Sequence, residues 1–335
     1  MSEIIVSFFF RKPGASFHSI ETLFDTIISN LPSAKANKFF LPYKSASPLK
    51  LLQNSFYAGA KQAQVNHITG DVNYLGLFLN KKRTILTIHD IESLKSRSRF
   101  KNVLLRLFWL HFPVGRLQYI TVVSEHSKKQ LLSVTKVSAD KVVVIPNCVP
   151  FSDKDFLPKE TINKECPVLL QIGTKSNKNL ENLVKAIKGL SCRLIILGGL
   201  SDAQVSLMKS SGIVFKNYVS IPYEEVVELY YKADIVTFIS FFEGFGLPIL
   251  EANALGRPVI TSNVASMPEV AGDGAILVDP HSPKNIKDAI LKLVGDDDFR
   301  NSLVQAGYRN VQRFKPEVIA AKYEELYKRI LKECV

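Results

Sequence analysis

The sequence predicts an α/β protein made of two Rossmann-like domains facing each other across a cleft. Three observations carry this. The chain has 335 residues, too long for one ordinary domain and enough for two of about 150 residues each. Short apolar, β-branched runs alternate with helical stretches along its whole length. A stretch marked by Pro146, Pro150, Pro158 and Pro167 breaks that alternation near the middle.

In the first series, residues 4–10, 83–88, 119–123 and 142–145 read as strands, and residues 18–30 and 124–132 as helices. The irregular segment 147–166 reads as a linker. A second series then starts afresh. Its expected strands are 168–172, 193–197, 213–215, 235–240 and 259–261, with helices at 179–190, 223–231 and 247–255. The tail 315–333 reads as an amphipathic helix with Val318, Ile319, Tyr323, Leu326 and Ile330 near one face. The expected division is therefore a first domain at 1–146, the linker at 147–166, a second domain at 167–314, and a terminal helix at 315–335 crossing back to the first. Alternating strands and helices imply parallel sheets covered on both faces. Ligands of such sheets bind outside the carboxyl ends of the strands, so functional residues should follow strands directly.

Composition narrows the function. With 46% apolar residues, two separate cores can be filled. No apolar run approaches the ~20 residues of a membrane-spanning helix. The run 4–10 has no basic stretch before it and is followed by Arg11-Lys12-Pro13, so it reads as a buried strand and not a signal peptide. Cys148, Cys166, Cys192 and Cys334 are scattered without a CxxC pair, which suits a reduced, cytoplasmic setting and no zinc site. The histidines show no HxxxH or HExxH spacing, so no metal is expected. The net charge of +12 lies wholly in the first half: residues 1–150 hold 20 Lys/Arg against 8 Asp/Glu, and residues 151–335 hold 23 against 23. Such asymmetry suggests that the first half meets something anionic.

The strongest motif is Phe241-Phe242-Glu243-Gly244-Phe245-Gly246-Leu247-Pro248-Ile249-Leu250-Glu251-Ala252, directly after an expected strand. Glycines at 244 and 246 bare the backbone where a helix begins, with Pro248 in its first turn. Bare amides and the positive end of a helix suit a diphosphate. Glu251, about a turn into the helix, can accept from ribose hydroxyls, and Glu243 in the turn can hold sugar hydroxyls. A capped glycine turn is the simpler reading of a bare GxG, so the wider pattern decides.

That pattern is Glu243-x7-Glu251 with GFGLP between, then Gly256-Arg257-Pro258-Val259-Ile260 and Met267-Pro268-Glu269-Val270-Ala271-Gly272. It resembles glycosyltransferase family 4, also called the group 1 glycosyltransferases. Ile145-Pro146-Asn147, Gly173-Thr174 to Lys178-Asn179-Leu180, and Thr87-Ile88-His89-Asp90 match as well, so the likeness covers most of the chain. The resemblance implies the GT-B fold, a nucleotide-sugar donor, retention of anomeric configuration, and no metal or other cofactor. It also implies roles. Glu243 contacts the donor sugar, with Phe245, Gly246 and Leu247 close to sugar and phosphate. Glu251 holds the ribose. Lys178 neutralises the departing diphosphate, in company with Gly173, Thr174 and Lys175. His89 reaches across the cleft to the donor sugar.

Two departures stand out. The family usually places an arginine directly before that lysine, and here Asn177 occupies the position; Lys175 is the nearest substitute. Gly14-Ala15-Ser16 sits where many relatives carry two adjacent glycines near the phosphates.

On the acceptor side, Ser16, His67, Asp71, Asp90 and Ser124 are the candidates, as polar groups in strand-end loops. Asp71 and Ser124 equally suit helix N-caps. Between 93 and 124 there is no acidic residue, while Lys95, Arg97, Arg99, Lys101, Arg106 and Arg116 are interleaved with Trp109, Phe108 and Phe112. Segment 95–116 therefore reads as an anionic-membrane face, or as a buried helix between two basic loops. No nucleic-acid motif is present.

The resulting expectation is a cytoplasmic enzyme, peripheral on the inner membrane face. It would move a hexose, with a lean to mannose or glucose, onto a glycan or lipid-linked acceptor in cell-surface polysaccharide synthesis. The alternatives are a sugar-nucleotide epimerase or phosphorylase of the same architecture, and a catalytically degenerate subunit that binds a membrane or a partner. A chain without GxGxxG after its first strand is not expected to be an NAD-dependent oxidoreductase.

Overall fold

A computed structural model describes residues 3–13, 19–45, 47–91 and 106–334. The chain divides into two compact units, one of Met1–Pro150 with Phe314–Val335 and one of Phe151–Arg313. Among the described residues, each unit holds one parallel sheet of six strands.

The first unit contains β1 (Ile5–Phe10), β2 (Lys35–Phe40), β3 (Val65–Ile68), β4 (Thr84–Ile88), β5 (Tyr119–Val122) and β6 (Val142–Val144). Their order is β2-β1-β3-β4-β5-β6, the flavodoxin-type arrangement with one more strand. Its strand order reverses between β1 and β3. Alternation along β1 builds both cores. Val6, Phe8 and Phe10 pack with Phe24 of the helix Ser19–Ser29 and with Ile319, Tyr323 and Tyr327 of the helix Pro316–Glu333. Phe9 faces the other way, into Leu41, Ile68, Leu86 and Leu110. Each fully buried phenylalanine stabilises on the order of 1.5–3 kcal/mol.

The helix Pro316–Glu333 thus belongs to the first unit. Ile319, Tyr323, Leu326 and Ile330 are buried there, but Val318 is 37% exposed and lies off the apolar stripe expected for it. The buried Glu324 fastens the helix, accepting hydrogen bonds from Ser33 N (2.7 Å), Ser33 Oγ (2.6 Å) and Ala34 N (3.2 Å) and pairing with Lys328 at 2.7 Å.

The second unit contains β7 (Val168–Ile172), β8 (Arg193–Leu197), β9 (Val214–Tyr218), β10 (Ile235–Phe238), β11 (Val259–Ser262) and β12 (Ile276–Val278). Their order, β12-β11-β10-β7-β8-β9, is the Rossmann order, with its reversal between β7 and β10. Residues following β7 and β10 therefore share the crevice where such sheets take ligands.

The segment expected to be a linker is packed at several points, and the boundary between the units falls within it. Cys148 and Val149 are buried in the first unit, and Val149 N donates to Phe314 O at 3.1 Å. From Phe151 the chain lies on the second unit. The buried Arg257 donates to the carbonyls of Leu157 (2.7 Å), Tyr230 (3.0 Å) and Tyr231 (3.1 Å). Gly256, at φ +71°, approaches so closely that a Cβ there would stand 2.8 Å from the Pro158 backbone. The Gly-Arg-Pro motif is thus a backbone clamp.

Candidate functional site

At the strand-order reversal of the second unit, residues 241–246 turn from β10 into the helix Leu247–Ala254. Gly246 occupies the N-cap at φ +122°, Pro248 lies in the first turn, and no side chain caps the helix start. The first-turn amides of a helix without a side-chain cap are donors suited to an external anion. The turn is held from behind by the buried Ser266, whose Oγ lies 2.9 Å from Glu243 O and 2.6 Å from Phe245 O.

Within that turn Glu243 Oε1 accepts from Lys178 Nζ at 2.6 Å and from Asn177 Nδ2 at 3.1 Å. Asn177 also donates to Phe242 O at 3.2 Å, and its own carbonyl accepts from Phe241 N at 2.8 Å. The residue that replaces the family's usual arginine is thus clipped onto the glutamate loop. Lys178 lies with its ammonium 4.6 Å from the Phe238 ring centroid, a cation–π contact. Its path needs Gly173, at φ +86°, because a Cβ there would meet Lys178 Cγ at 2.9 Å. Thr174 Oγ1 donates to Gly199 O at 2.5 Å, and Gln204 Nε2 donates to Thr174 O at 2.9 Å, which fixes the loop after β7. Lys175 is exposed and forms no ion pair among the described residues.

Glu251, on the helix that follows the turn, accepts from Tyr230 Oη at 2.5 Å and from Tyr223 Oη at 3.3 Å. Burial pushes its carboxyl above the usual value, and the two phenols pull in the opposite sense. Sequence reasoning missed both tyrosines. They lie on the helix Tyr223–Lys232, where their spacing shows only an amphipathic helix.

In the first unit, His89 follows β4 directly. Its Nε2–H donates to Thr69 O at 2.8 Å, which leaves Nδ1 as the lone-pair nitrogen of the neutral ring. Burial lowers its pKa. Gly70, at φ +130°, makes room for the ring, since a Cβ there would stand 2.8 Å from His89 Cδ2. Asp90 is exposed. Asp71 is paired with Arg11, which also grips Glu21 at 2.8 Å.

Two acceptor-side expectations, His67 and Ser124, are corrected here, and for Ser124 the helix-cap reading holds. His67 does not face a ligand: it is fully buried within β3, between Tyr327 Oη at 2.8 Å and Thr87 Oγ1 at 2.7 Å. Ser124 is also fully buried, and it caps the helix Glu125–Val134 by accepting from Ser127 N at 3.0 Å. Asp71, by contrast, is not a helix cap, since Val72 takes that position before the turn Asn73–Leu77 and Asp71 sits at φ +59°.

Gly14 and Ser16 lie outside the described residues, as does the first half of segment 95–116. In its described part, the half-buried Trp109 donates to Asp71 O at 3.1 Å and packs on Tyr74 at 5.3 Å. Phe108 and Phe112 remain about half exposed. No helix of the described residues is long and apolar enough to cross a membrane, and no described group of three His, Cys, Asp or Glu is placed to hold a metal.

Two six-stranded parallel sheets, the second of Rossmann order with a glutamate–lysine pair at its reversal point, define a two-domain α/β architecture. Comparison with known proteins agrees. The family model described as glycosyl transferases group 1 matches residues 152–310, and that of glycosyltransferase family 4 matches residues 12–153. The chain is similar to O-antigen chain mannosyltransferase B of Escherichia coli, with 29% identity over 74% of this chain and 70% of that protein. It is likewise 29% identical to O-antigen chain mannosyltransferase RfbU of Salmonella typhimurium, over 68% of this chain and 67% of the relative. Among solved structures, Anabaena HepE in complex with UDP and glucose aligns with a TM-score of 0.77 and 15% identity, over 98% of this chain and all of that one. The fold is GT-B, and the chain belongs to the group 1 glycosyltransferases of family 4. It is a glycosyltransferase.

Proposed function

We propose that this chain is a retaining hexosyltransferase that moves a sugar from a nucleotide-sugar onto a glycan or lipid-linked acceptor during cell-surface polysaccharide synthesis. The observation that carries the site assignment is the Lys178–Glu243 pair at 2.6 Å, set at the start of a helix without a side-chain cap. Lys178 and the helix start receive the diphosphate, Glu243 the sugar hydroxyls and Glu251 the ribose, with Gly173, Thr174, Phe245, Gly246 and Leu247 shaping the pocket. As the glycosidic bond breaks, charge grows on the leaving diphosphate, and the ammonium of Lys178 stabilises it. The acceptor hydroxyl then adds from the face the diphosphate leaves and gives its proton to the departing diphosphate oxygen, which retains configuration. The two relatives named above are mannosyltransferases of O-antigen chains, which supports mannose as the sugar. HepE holds UDP and glucose, which supports a nucleotide-sugar donor.

The reaction needs no metal or other cofactor, because Lys178 and the helix start supply the positive charge. The enzyme works in the cytoplasm, peripheral to an anionic membrane through the basic segment 95–116, with Phe108 and Phe112 as its exposed apolar groups.

The test is incubation with GDP-mannose or UDP-glucose and an oligosaccharide or lipid-diphosphate acceptor, in the presence of EDTA. The proposal predicts a new glycoside whose anomeric proton coupling matches the donor's configuration. An inverted product, a requirement for added metal, or release of free sugar without a glycoside would overturn it.

A further inference from the structure

The residues assigned above to the first unit follow the carboxyl ends of strands. At the opposite end of that sheet, where β4, β5 and β6 begin, lies a cavity of about 370 Å³. Lys81, Lys82, Arg116, Lys141 and Arg329 line it, against Asp140 and Glu333 as its only acids.

Both acids are already engaged. Glu333 is bound by Arg329 at 2.8 Å, by Gln118 at 3.3 Å and by the Tyr119 hydroxyl, while Asp140 accepts from Ser138. Arg329 is thereby neutralised. Lys81, Lys82, Lys141 and Arg116 have no carboxylate partner among the described residues. Arg116 is fixed in place by Nη1 donation to Gly76 O at 2.8 Å and Leu79 O at 2.7 Å, and the remaining N–H groups of its guanidinium are left to other acceptors. The five cations exceed the two carboxylates, Asp140 and Glu333, so the concavity carries a net positive charge whose repulsion a bound anion relieves.

We propose that this cavity is a second anion site, separate from the donor site, and that it takes a multiply charged phosphate group. A monoanion would leave most of the local charge uncompensated, whereas a phosphomonoester or diphosphate offers several acceptor oxygens to the guanidinium and the ammonium groups. The wall is charged and polar, so the part of the ligand it holds is a phosphate and not an acyl chain. The group is either a free phosphate compound or the headgroup of an anionic lipid.

The experiment measures calorimetric binding of inorganic diphosphate to the full chain in a Lys178→Gln background, which removes the main diphosphate contact of the proposed donor site. The comparison is the same protein with Lys82→Gln and Lys141→Gln, and a charge-preserving control carries Lys82→Arg and Lys141→Arg. In parallel, all three are sedimented with phosphatidylglycerol-containing vesicles and with pure phosphatidylcholine vesicles. The site predicts at least a tenfold loss in the glutamine variant and retention in the arginine variant. A loss for diphosphate assigns a free phosphate compound, and a loss confined to the phosphatidylglycerol vesicles assigns a lipid headgroup. Unchanged binding of both probes in the glutamine variant would overturn the site whether or not the donor assignment holds.

Discussion

Lys178 Nζ stands 2.6 Å from Glu243 Oε1, joining the loop after β7 to the loop after β10. The two side chains are 20% and 17% exposed, so the pair is partly solvated and contributes only about 1 kcal/mol to folding. The role proposed for it is in catalysis. Lys178→Gln is expected to lower kcat by roughly 10²–10³, as removal of one electrostatic stabiliser does elsewhere, with little change in melting temperature. Steady-state kinetics beside thermal denaturation check this, and a large loss of stability with intact kcat would contradict it.

Gly173→Ala tests the same pair from the backbone. The added methyl group meets Lys178 Cγ at 2.9 Å, and φ +86° is strained for alanine. The expected result is a destabilisation of about 1 kcal/mol with a larger loss of kcat, because the lysine is displaced from its place over Phe238. A crystal structure of the variant reports whether the side chain has moved.

Glu251 and its two tyrosines set a pH dependence. Burial holds this carboxyl above its ordinary value, so the folded state retains its proton more readily than the unfolded chain. Stability from this group is fully present below the ordinary glutamate pKa and is lost as pH rises through the raised folded value. Glu251→Gln should flatten that decline in denaturation curves taken between pH 4 and 8. Tyr230→Phe removes a donor at 2.5 Å that favours ionisation, and should move the midpoint of the decline to higher pH.

His67 acts in the opposite direction. Burial, with a further contribution from His89, lowers it from 6.5 to about 3. The protonated form is disfavoured in the fold, so stability is complete above pH 6.5 and falls on acidification towards pH 3, by up to about 1.4 kcal/mol per pH unit. His67→Gln should remove that slope even if it costs stability at neutral pH. An unchanged slope would mean that other groups govern acid unfolding.

Much of this was legible in the sequence, for reasons the structure makes plain. Strands such as β7 and β10 are apolar because helices cover both faces, and the Gly-Phe-Gly-Leu-Pro turn declares itself through residue types that only such a turn requires. What was missed lacks a local signal. β2, Lys-Ala-Asn-Lys-Phe-Phe, is an edge strand with little burial and no alternation to detect. β12 has three residues. His67 read as a functional histidine because nothing near it in sequence reveals Tyr327, 260 residues away, as its partner. Arg257 appeared as a family motif, and only the fold shows that its donors clamp the segment around Leu157.

In the proposed function, the second unit binds a nucleoside diphosphate through Glu251 and the helix start at Gly246. The most direct measurement is a thermal-shift panel with GDP, UDP, ADP and TDP on the wild type and on Glu251→Ala. A ligand at 100 times its Kd adds about 2.7 kcal/mol of stability. The expected result is a shift with one nucleotide that is lost in the variant. No shift with any of the four, or a shift equally large in Glu251→Ala, would contradict it.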